Sequence, residues 1–170
     1  MKDKIKKLFK HKEEDVEPIL RSKELKKYGL LSKLGRKDLR LLRNLLIKRN
    51  FRAGEVLFKL GFPHSVLYFI AEGEILIYLE QGECEIELAH LETHDFFGEV
   101  GLFVETTRSA CARAEVDTIV LAMTKRDFNA YINQNGKAGE KLLTKISTNL
   151  CNSLIATNDR LKKMSEAAGK

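Results

Sequence analysis

Residues 95–114, DFFGEVGLFVETTRSACARA, place a carboxylate, Glu99, directly after a glycine and nine residues before an arginine, Arg108. A glycine beside a carboxylate in a turn lets the backbone approach a ligand closely, because no Cβ holds the ligand away. A buried carboxylate accepts hydrogen bonds from the hydroxyls of a sugar diol. A guanidinium presents a planar fork that matches phosphate oxygens. This pair predicts a site for a compact nucleotide with a single negative charge.

The residues between the two charges favour a ligand-binding loop. The stretch VGLFVETT shows neither the alternation of a strand nor the polar face of a surface helix. We expect a loop with a short helix at residues 100–104, whose free N–H groups would point at an anion. The structural alternative is that Glu99 only caps a helix and that Arg108 only pairs with a surface acid.

The formal net charge of +6 is concentrated at the N-terminus. Residues 1–12 hold six lysines and one aspartate, so the remainder of the chain is nearly neutral and carries no electrostatic footprint for DNA. The tail also places Ile5, Leu8 and Phe9 on one helical face, which suits weak contact with a membrane surface or a partner helix. The alternative is a frayed, solubilising tail.

Length and composition predict one cytoplasmic domain without a transmembrane segment. The chain has 170 residues, 44% of them hydrophobic, which suffices for a single core. Its apolar runs are short, and we expect neither a membrane span nor a secretory signal. Cys84, Cys111 and Cys151 have unrelated spacings, so we expect ordinary small or buried residues rather than disulfides.

A metal-dependent small-barrel enzyme is the catalytic alternative, with His64, His90, His94 and Cys84 as ligands. Enzymes of that architecture need clustered histidines with a carboxylate, a pattern that this chain lacks. The sequence also shows no nucleophile in a recognisable setting, no P-loop and no dinucleotide fingerprint. We therefore expect no metal, no cofactor and no catalysis.

Hydrophobic periodicity predicts an α+β fold, in which a β-sandwich or jelly-roll barrel carries short N-terminal helices and a long C-terminal helix. Seven or eight short strands are expected, including a hairpin that joins residues 75–80 to CEIELAHL across Gln81-Gly82-Glu83, with Ile86 and Leu88 on one face. Before them, a helix is expected to begin at Pro18 with Gly29 as its breaker, and another covers residues 36–46. The expected divisions are a basic tail at 1–17, helices at 18–47, the barrel at 48–123 and C-terminal helices at 124–170.

The C-terminal part predicts a short helix at residues 125–132, a stop at Asn135-Gly136 and a long helix over 137–164. Five apolar residues of the long helix fall on the seam of one heptad frame: Leu143, Leu150, Leu154, Leu161 and Met164. A helix of this kind either lies on the barrel or pairs with a copy of itself. We favour a homodimer.

Three spaced motifs resemble those of the cyclic-nucleotide-binding domains, which occur in catabolite activator proteins, kinase regulatory subunits and gated channels. The family's phosphate-binding cassette has the pattern F-G-E-x-A-L followed by P-R-x-A-[ST], and residues 97–111 match it with the same distance from glutamate to arginine. FRAGEVLFKLG and LYFIAEGEILIY match two further motifs. The resemblance covers residues 30–161.

By this resemblance, Glu99 binds the ribose 2′-hydroxyl, Arg108 binds the cyclic phosphate, and backbone amides of the cassette complete the cradle. The C-terminal helix closes over the base. The implied ligand-binding residues are Gly98, Glu99, Val100, Gly101, Leu102, Thr107, Arg108 and Ser109, with Leu143, Ile146 or Ser147 as the base-capping contact.

Departures from the family pattern define the alternative, a degenerate scaffold that binds no nucleotide. Gly101 stands in place of alanine, Thr107 of proline and Cys111 of a serine or threonine, so the cassette is expected to be looser. His94 replaces a glycine, and a positive φ there would carry strain. Phe62 replaces an acid in a surface turn.

The resemblance implies a regulatory sensor module that relays ligand binding through its C-terminal helix to an unknown protein partner. Cyclic AMP is the favoured ligand on the family base rate. Cyclic GMP stays open, because the hydroxyl of Ser109 can bond a guanine amino group. No recognition helix follows the long helix, so we expect no DNA binding by this chain alone.

Overall fold

In a computed structural model, the protein is described for residues 21–63, 65–82, 84–105 and 107–168. The basic tail and its proposed contacts lie outside these residues. The elements follow in chain order as α1 (Ser22–Leu25), α2 (Arg36–Arg43), β1 (Ile47–Phe51), β2 (Val56–Phe58), β3 (Val66–Glu72), β4 (Ile75–Gln81), β5 (Cys84–Leu91), β6 (Phe96–Phe97), α3 (Val100–Phe103), β7 (Cys111–Ala114), β8 (Thr118–Thr124), α4 (Lys125–Gln134) and α5 (Gly136–Ala168).

Eight antiparallel strands form two four-stranded sheets. The first sheet has the order β1-β8-β3-β6, and the second has the order β2-β7-β4-β5. This sandwich, with helices before and after it, confirms the predicted fold class. The two sheets are not closed into a barrel in the described part of the chain.

The first sheet separates two hydrophobic cores because successive residues of a strand face opposite sides. On β3, Leu67 and Phe69 pack with the helices, whereas Tyr68 and Ile70 pack against the second sheet. Hereafter the helix core is the cluster that includes Leu67 and Phe69, and the inter-sheet core is the cluster that includes Tyr68 and Ile70.

The N-terminal helix is shorter in the described residues than the sequence predicted. The α-helix ends at Leu25, and turns follow it, with Leu31 N–H bonded to Tyr28 O and Leu34 N–H bonded to Leu31 O. Because these turns repeat every three residues, Leu25, Tyr28, Leu31 and Leu34 all point into the helix core. The Tyr28 hydroxyl donates to the carbonyl of Ile70 at 3.1 Å and fixes this segment on the first sheet.

The predicted hairpin is confirmed, since β4 pairs with β5 and Gln81 lies opposite Cys84. Ile86 and Leu88 are exposed, because β5 is the outer strand of the second sheet. Cys84 and Cys151 are likewise exposed, and Cys111 is buried.

The C-terminal helices begin where the Thr124 hydroxyl accepts a hydrogen bond from the Asp127 amide and so caps α4. Helix α5 has 33 residues, and its first part buries Leu142 and Ile146 in the helix core. From Cys151 onward its described side chains are exposed, including the heptad residues Leu154, Leu161 and Met164. Within the described chain, no helix combines the length and the apolar character that crossing a membrane requires.

Candidate functional site

Gly98 forms the turn between β6 and α3, with a φ of +84°. A Cβ at this position would lie 2.6 Å from the Val66 carbonyl oxygen and 2.8 Å from Nη1 of Arg108. Both values are far below a normal carbon contact. Two independent features therefore require glycine at position 98: the left-handed backbone conformation and the close approach of the Arg108 side chain.

Glu99 is the residue that precedes α3, and its side chain is half-buried. Burial raises the pKa of its carboxyl, and a hydrogen bond from its own backbone amide opposes part of that shift. No ion pair joins Glu99 to Arg108 among the residues that the structure describes. The carboxyl of Glu99 and the guanidinium of Arg108 therefore do not neutralise each other.

The backbone of Arg108 is fixed by the loop that follows β2. Its amide donates to Phe62 O at 2.7 Å, and its carbonyl accepts from Gly61 N at 2.9 Å. The neighbouring residue Thr107 forms an isolated antiparallel bridge with Pro63. This pairing holds the arginine against the edge of the second sheet and directs its side chain into the sandwich.

The guanidinium of Arg108 is buried, with 4% of the residue exposed. Nη2 donates to the Val66 carbonyl at 3.1 Å. Nε and Nη1 are also buried, and neither has a hydrogen-bond partner in the described chain. A native structure rarely leaves buried donors unpaired, so these two nitrogens require an explanation.

Aromatic rings surround the same guanidinium. Its Cζ atom lies 3.8 Å from the ring centroid of Phe58 and 5.6 Å from that of Tyr68. Tyr68 in turn stacks on Phe97, with centroids 5.1 Å apart. Burial lowers the pKa of Arg108, and Tyr68 opposes part of that shift. A cation in this setting is suited to accept an anion, because little water competes for it.

The remaining cassette residues divide between core and surface. Gly101 and Leu102 are buried, and Leu102 belongs to the helix core. Val100, Thr107 and Ser109 are exposed. The structure therefore brings Gly98 and Arg108 into contact, with Glu99 adjoining them in the chain.

The three base-capping candidates occupy different environments on α5. Ile146 is completely buried in the helix core, and Leu143 packs at its margin. Ser147 is exposed. Contact between Ile146 and a ligand would thus require α5 to shift.

The histidine at position 94 adopts the positive φ that the sequence predicts, with a value of 79°. Its ring packs edge-on against Tyr28 at 5.6 Å. His90, by contrast, lies 3.2 Å from the carboxylate of Glu87 on the surface. The structure describes no group of three potential metal ligands in the ranges that it covers.

The aromatic surroundings of Arg108 were missed by the sequence analysis. Alternation along β3 does place Tyr68 on the inward face, and it could have identified that ring. The position of Phe58 depends on the pairing of β2 with β7, which lies more than fifty residues away in the chain. No local pattern indicates that contact.

A large part of this chain matches known proteins. The family model of the cyclic nucleotide-binding domain matches residues 48–135. A putative potassium channel protein of Rhodopseudomonas palustris is 34% identical over 113 residues, which make up 66% of this chain and 27% of the channel. The type II regulatory subunit of the cAMP-dependent protein kinase of Drosophila melanogaster is 30% identical over 81 residues, or 48% of this chain and 22% of the subunit.

Among solved structures, the catabolite activator protein of Thermus thermophilus superposes with a TM-score of 0.72 at 27% identity, over 80% of this chain and 62% of that one. The chain spans about a quarter of the length of the two curated relatives. The matched residues include the complete cassette and both of its charged side chains. The chain belongs to the cyclic nucleotide-binding domain family.

Proposed function

We propose that this protein is a regulatory module that binds a cyclic purine nucleotide and carries out no catalysis. The buried guanidinium of Arg108, with Nε and Nη1 unpaired, is the observation that carries the proposal. An uncompensated buried charge costs several kcal/mol, about as much as a well-placed anion restores. A cyclic phosphate supplies oxygens that accept from these donors.

Glu99 would take the opposite end of the ligand. Its carboxylate is half-buried, and burial raises its pKa, as expected for an acceptor that lacks strong donors around it. The proposed ribose contact at Glu99 adjoins the Gly98 turn, whose backbone lies close to the guanidinium that would bind the phosphate. This arrangement supports the full cassette, Gly98 to Leu102 with Thr107, Arg108 and Ser109, as the ligand-binding segment.

Cyclic AMP is the ligand that we favour, and cyclic GMP is the competitor. Ser109 is exposed at the end of the cassette, so its hydroxyl is free to meet a guanine amino group. Replacement by alanine should remove that bond, which is worth about 0.5–1.5 kcal/mol. Titration of the wild type and Ser109→Ala with both nucleotides measures whether this hydroxyl sets the preference.

The relay to the C-terminal helix would start at α3. Leu102 shares the helix core with Phe128 and Ile146. The ring centroids of Phe103 and Phe128 lie 6.3 Å apart. A ligand that pulls the cassette inward would thus change the packing of α4 and α5. Signalling requires the ligand to bind one arrangement more tightly than the other. Leu143, Ile146 or Ser147 would then contact the base.

The output would pass through protein contacts. The exposed apolar residues Leu154, Leu161 and Met164 suit a homodimer along the second half of α5 or an unidentified downstream protein. We propose a cytoplasmic location, which the three free thiols support. DNA binding by this chain alone is not part of the proposal.

Titration calorimetry tests the proposed site directly. Cyclic AMP should bind the wild type, and Arg108→Ala should weaken binding by at least about tenfold, because a charge-assisted hydrogen bond contributes roughly 1.5–3 kcal/mol. Arg113→Ala is the matched control, since Arg113 bonds the carboxylate of Glu85 instead. Equal heats for the wild type and Arg108→Ala would end the binding proposal.

The second candidate function is an interaction module that binds no nucleotide. The ring of Phe58 favours this alternative, because it already covers the guanidinium to which a phosphate would bind. Thermal melting with millimolar cyclic AMP or cyclic GMP separates the two functions. A ligand at a hundred times its Kd adds about 2.7 kcal/mol to the free energy of unfolding. Unchanged melting with both nucleotides would favour the interaction module.

A further inference from the structure

The unpaired nitrogens of Arg108 are out of reach in this structure. Nε and Nη1 are both buried, and the residue as a whole is 4% exposed. A phosphate oxygen must come within about 3 Å of such a donor to bond it. Some covering group must therefore move before an anion can bind.

Among the groups that the structure describes around the guanidinium, three are firmly held. Val66 and Tyr68 lie on β3, which is paired on both sides. Gly98 is held by its tight turn. Phe58 differs, because its strand has only three residues, forms the edge of the second sheet and has a register shift between Val56 and Phe58. Its side chain is half-buried.

We propose that Phe58 is a gate: its ring covers Arg108 in the free protein and swings away to admit the anionic group of the ligand. This inference rests on the proposed function, and it adds a regulated access step to the same site. The covering contact is a cation–π interaction, since Cζ lies 3.8 Å from the ring centroid. A desolvated contact of this type corresponds to roughly thirtyfold in an equilibrium constant.

The displaced ring can turn out of the sandwich toward solvent. Phe58 is half-buried and lies on β2, the edge strand of the second sheet, so no strand of the described chain covers it on its outer side. Its aromatic partner Tyr68, whose ring centroid lies 6.1 Å from that of Phe58, is held on β3 by pairing on both sides. Phe58 can therefore move while Tyr68 stays in place.

The gate has a kinetic consequence that simple docking lacks. If the open form is a minor state, the observed association rate should level off at the opening rate as ligand concentration rises. Removal of the ring should abolish the plateau. A residue that merely supports Arg108 would do the reverse, because its loss would weaken binding and leave the association rate unchanged or slower.

Stopped-flow mixing with a fluorescent cyclic AMP derivative measures this rate for the wild type and for Phe58→Leu. Phe51→Leu is the matched control, since Phe51 is also half-buried and packs against the same inter-sheet core. We expect Phe58→Leu to associate at least about tenfold faster, with a linear concentration dependence. The wild type and Phe51→Leu should both reach a plateau. Equal rates in all three proteins would overturn the gate.

A second measurement needs no nucleotide. Phenylglyoxal modifies accessible guanidinium groups, and peptide mass spectrometry reports the modification of Arg108 separately from that of other arginines. Arg108 should be protected in the wild type and in Phe51→Leu, and should react at least about tenfold faster in Phe58→Leu. Equal protection in all three proteins contradicts the gate. Reactivity confined to Phe58→Leu, with no nucleotide bound by any protein, would reject the nucleotide function and leave Phe58 as a gate for another anion.

Discussion

Replacement of Arg108 by methionine should stabilise the ligand-free protein. The substitution removes two buried unpaired donors, each of which costs about 1–3 kcal/mol, and the desolvation of the charge itself. It loses the hydrogen bond to Val66, worth about 1.5–3 kcal/mol, and the contact with Phe58, worth about 0.5–2 kcal/mol. Methionine is two atoms shorter along the side chain, but it is unbranched and flexible, and its sulfur packs well on an aromatic ring. The expected net gain is about 1–3 kcal/mol.

Urea denaturation and thermal melting, followed by circular dichroism, measure this gain. For a chain of this size, 1 kcal/mol corresponds to about 2–4 °C in Tm. Arg113→Met is the control with the opposite sign, because it breaks a paired contact in which Arg113 meets both oxygens of Glu85 at 2.8 and 2.9 Å. That partly exposed pair is worth up to about 1 kcal/mol. A lower Tm for Arg108→Met than for the wild type would refute the reasoning, since it would mean that the free protein already satisfies the guanidinium.

Three further predictions concern the cassette and the long helix. Gly98→Ala should lower the free energy of unfolding, measured by urea denaturation, by at least about 1 kcal/mol, because φ is +84° and a Cβ would lie 2.6 Å from the Val66 carbonyl oxygen. An unchanged urea midpoint would show that the turn can relax. Burial raises the pKa of Glu99 above its ordinary 4.5, so the carboxylate should be protonated, and cyclic AMP binding weakened, as the pH falls from neutral through that raised pKa. The free protein should gain stability over the same pH window, because the folded state binds the proton more tightly than the unfolded state, and should lose that stability as the pH rises again. Calorimetry should show the change in cyclic AMP affinity, and urea denaturation the change in free energy of unfolding, in the wild type but not in Glu99→Gln. The same pH dependence in both proteins would contradict the role given to the Glu99 carboxyl. Leu154→Glu combined with Leu161→Glu should convert a dimer to a monomer in sedimentation velocity, and the monomer should keep its folded circular dichroism spectrum because both side chains are exposed in the single chain; a monomeric wild type would exclude the α5 dimer.

The sandwich and its cassette could be predicted because their signals are local. The turn at Gln81-Gly82-Glu83 joins two alternating segments, and the structure pairs them as β4 and β5. The strained His94 likewise follows from its place in a motif that usually holds glycine there. Such features depend on a few neighbouring residues, so one sequence suffices to find them.

The features that the sequence did not reveal depend on distant pairing. Phe58 reaches Arg108 only because β2 lies beside β7 at the sheet edge. Ile146 lies in the helix core together with Leu31 and Leu34 of the N-terminal turns. The helical spacing of Ile146 alone was equally compatible with a contact to the ligand. The first α-helix was overestimated for a related reason, since apolar residues spaced every three positions, as at Leu25, Tyr28, Leu31 and Leu34, suit a series of turns as well as a helix.

The contact between Arg108 and the ligand phosphate is the central claim, and nitrogen-detected NMR of arginine side chains observes it most directly. The Arg108 Nε–H signal is assigned by its loss in Arg108→Lys, and in the free protein this group has no hydrogen-bond partner in the described chain. Addition of cyclic AMP should shift this signal downfield and slow its exchange with water, while the Arg113 signal stays in place. An Arg108 signal that does not respond at saturating cyclic AMP would contradict the account.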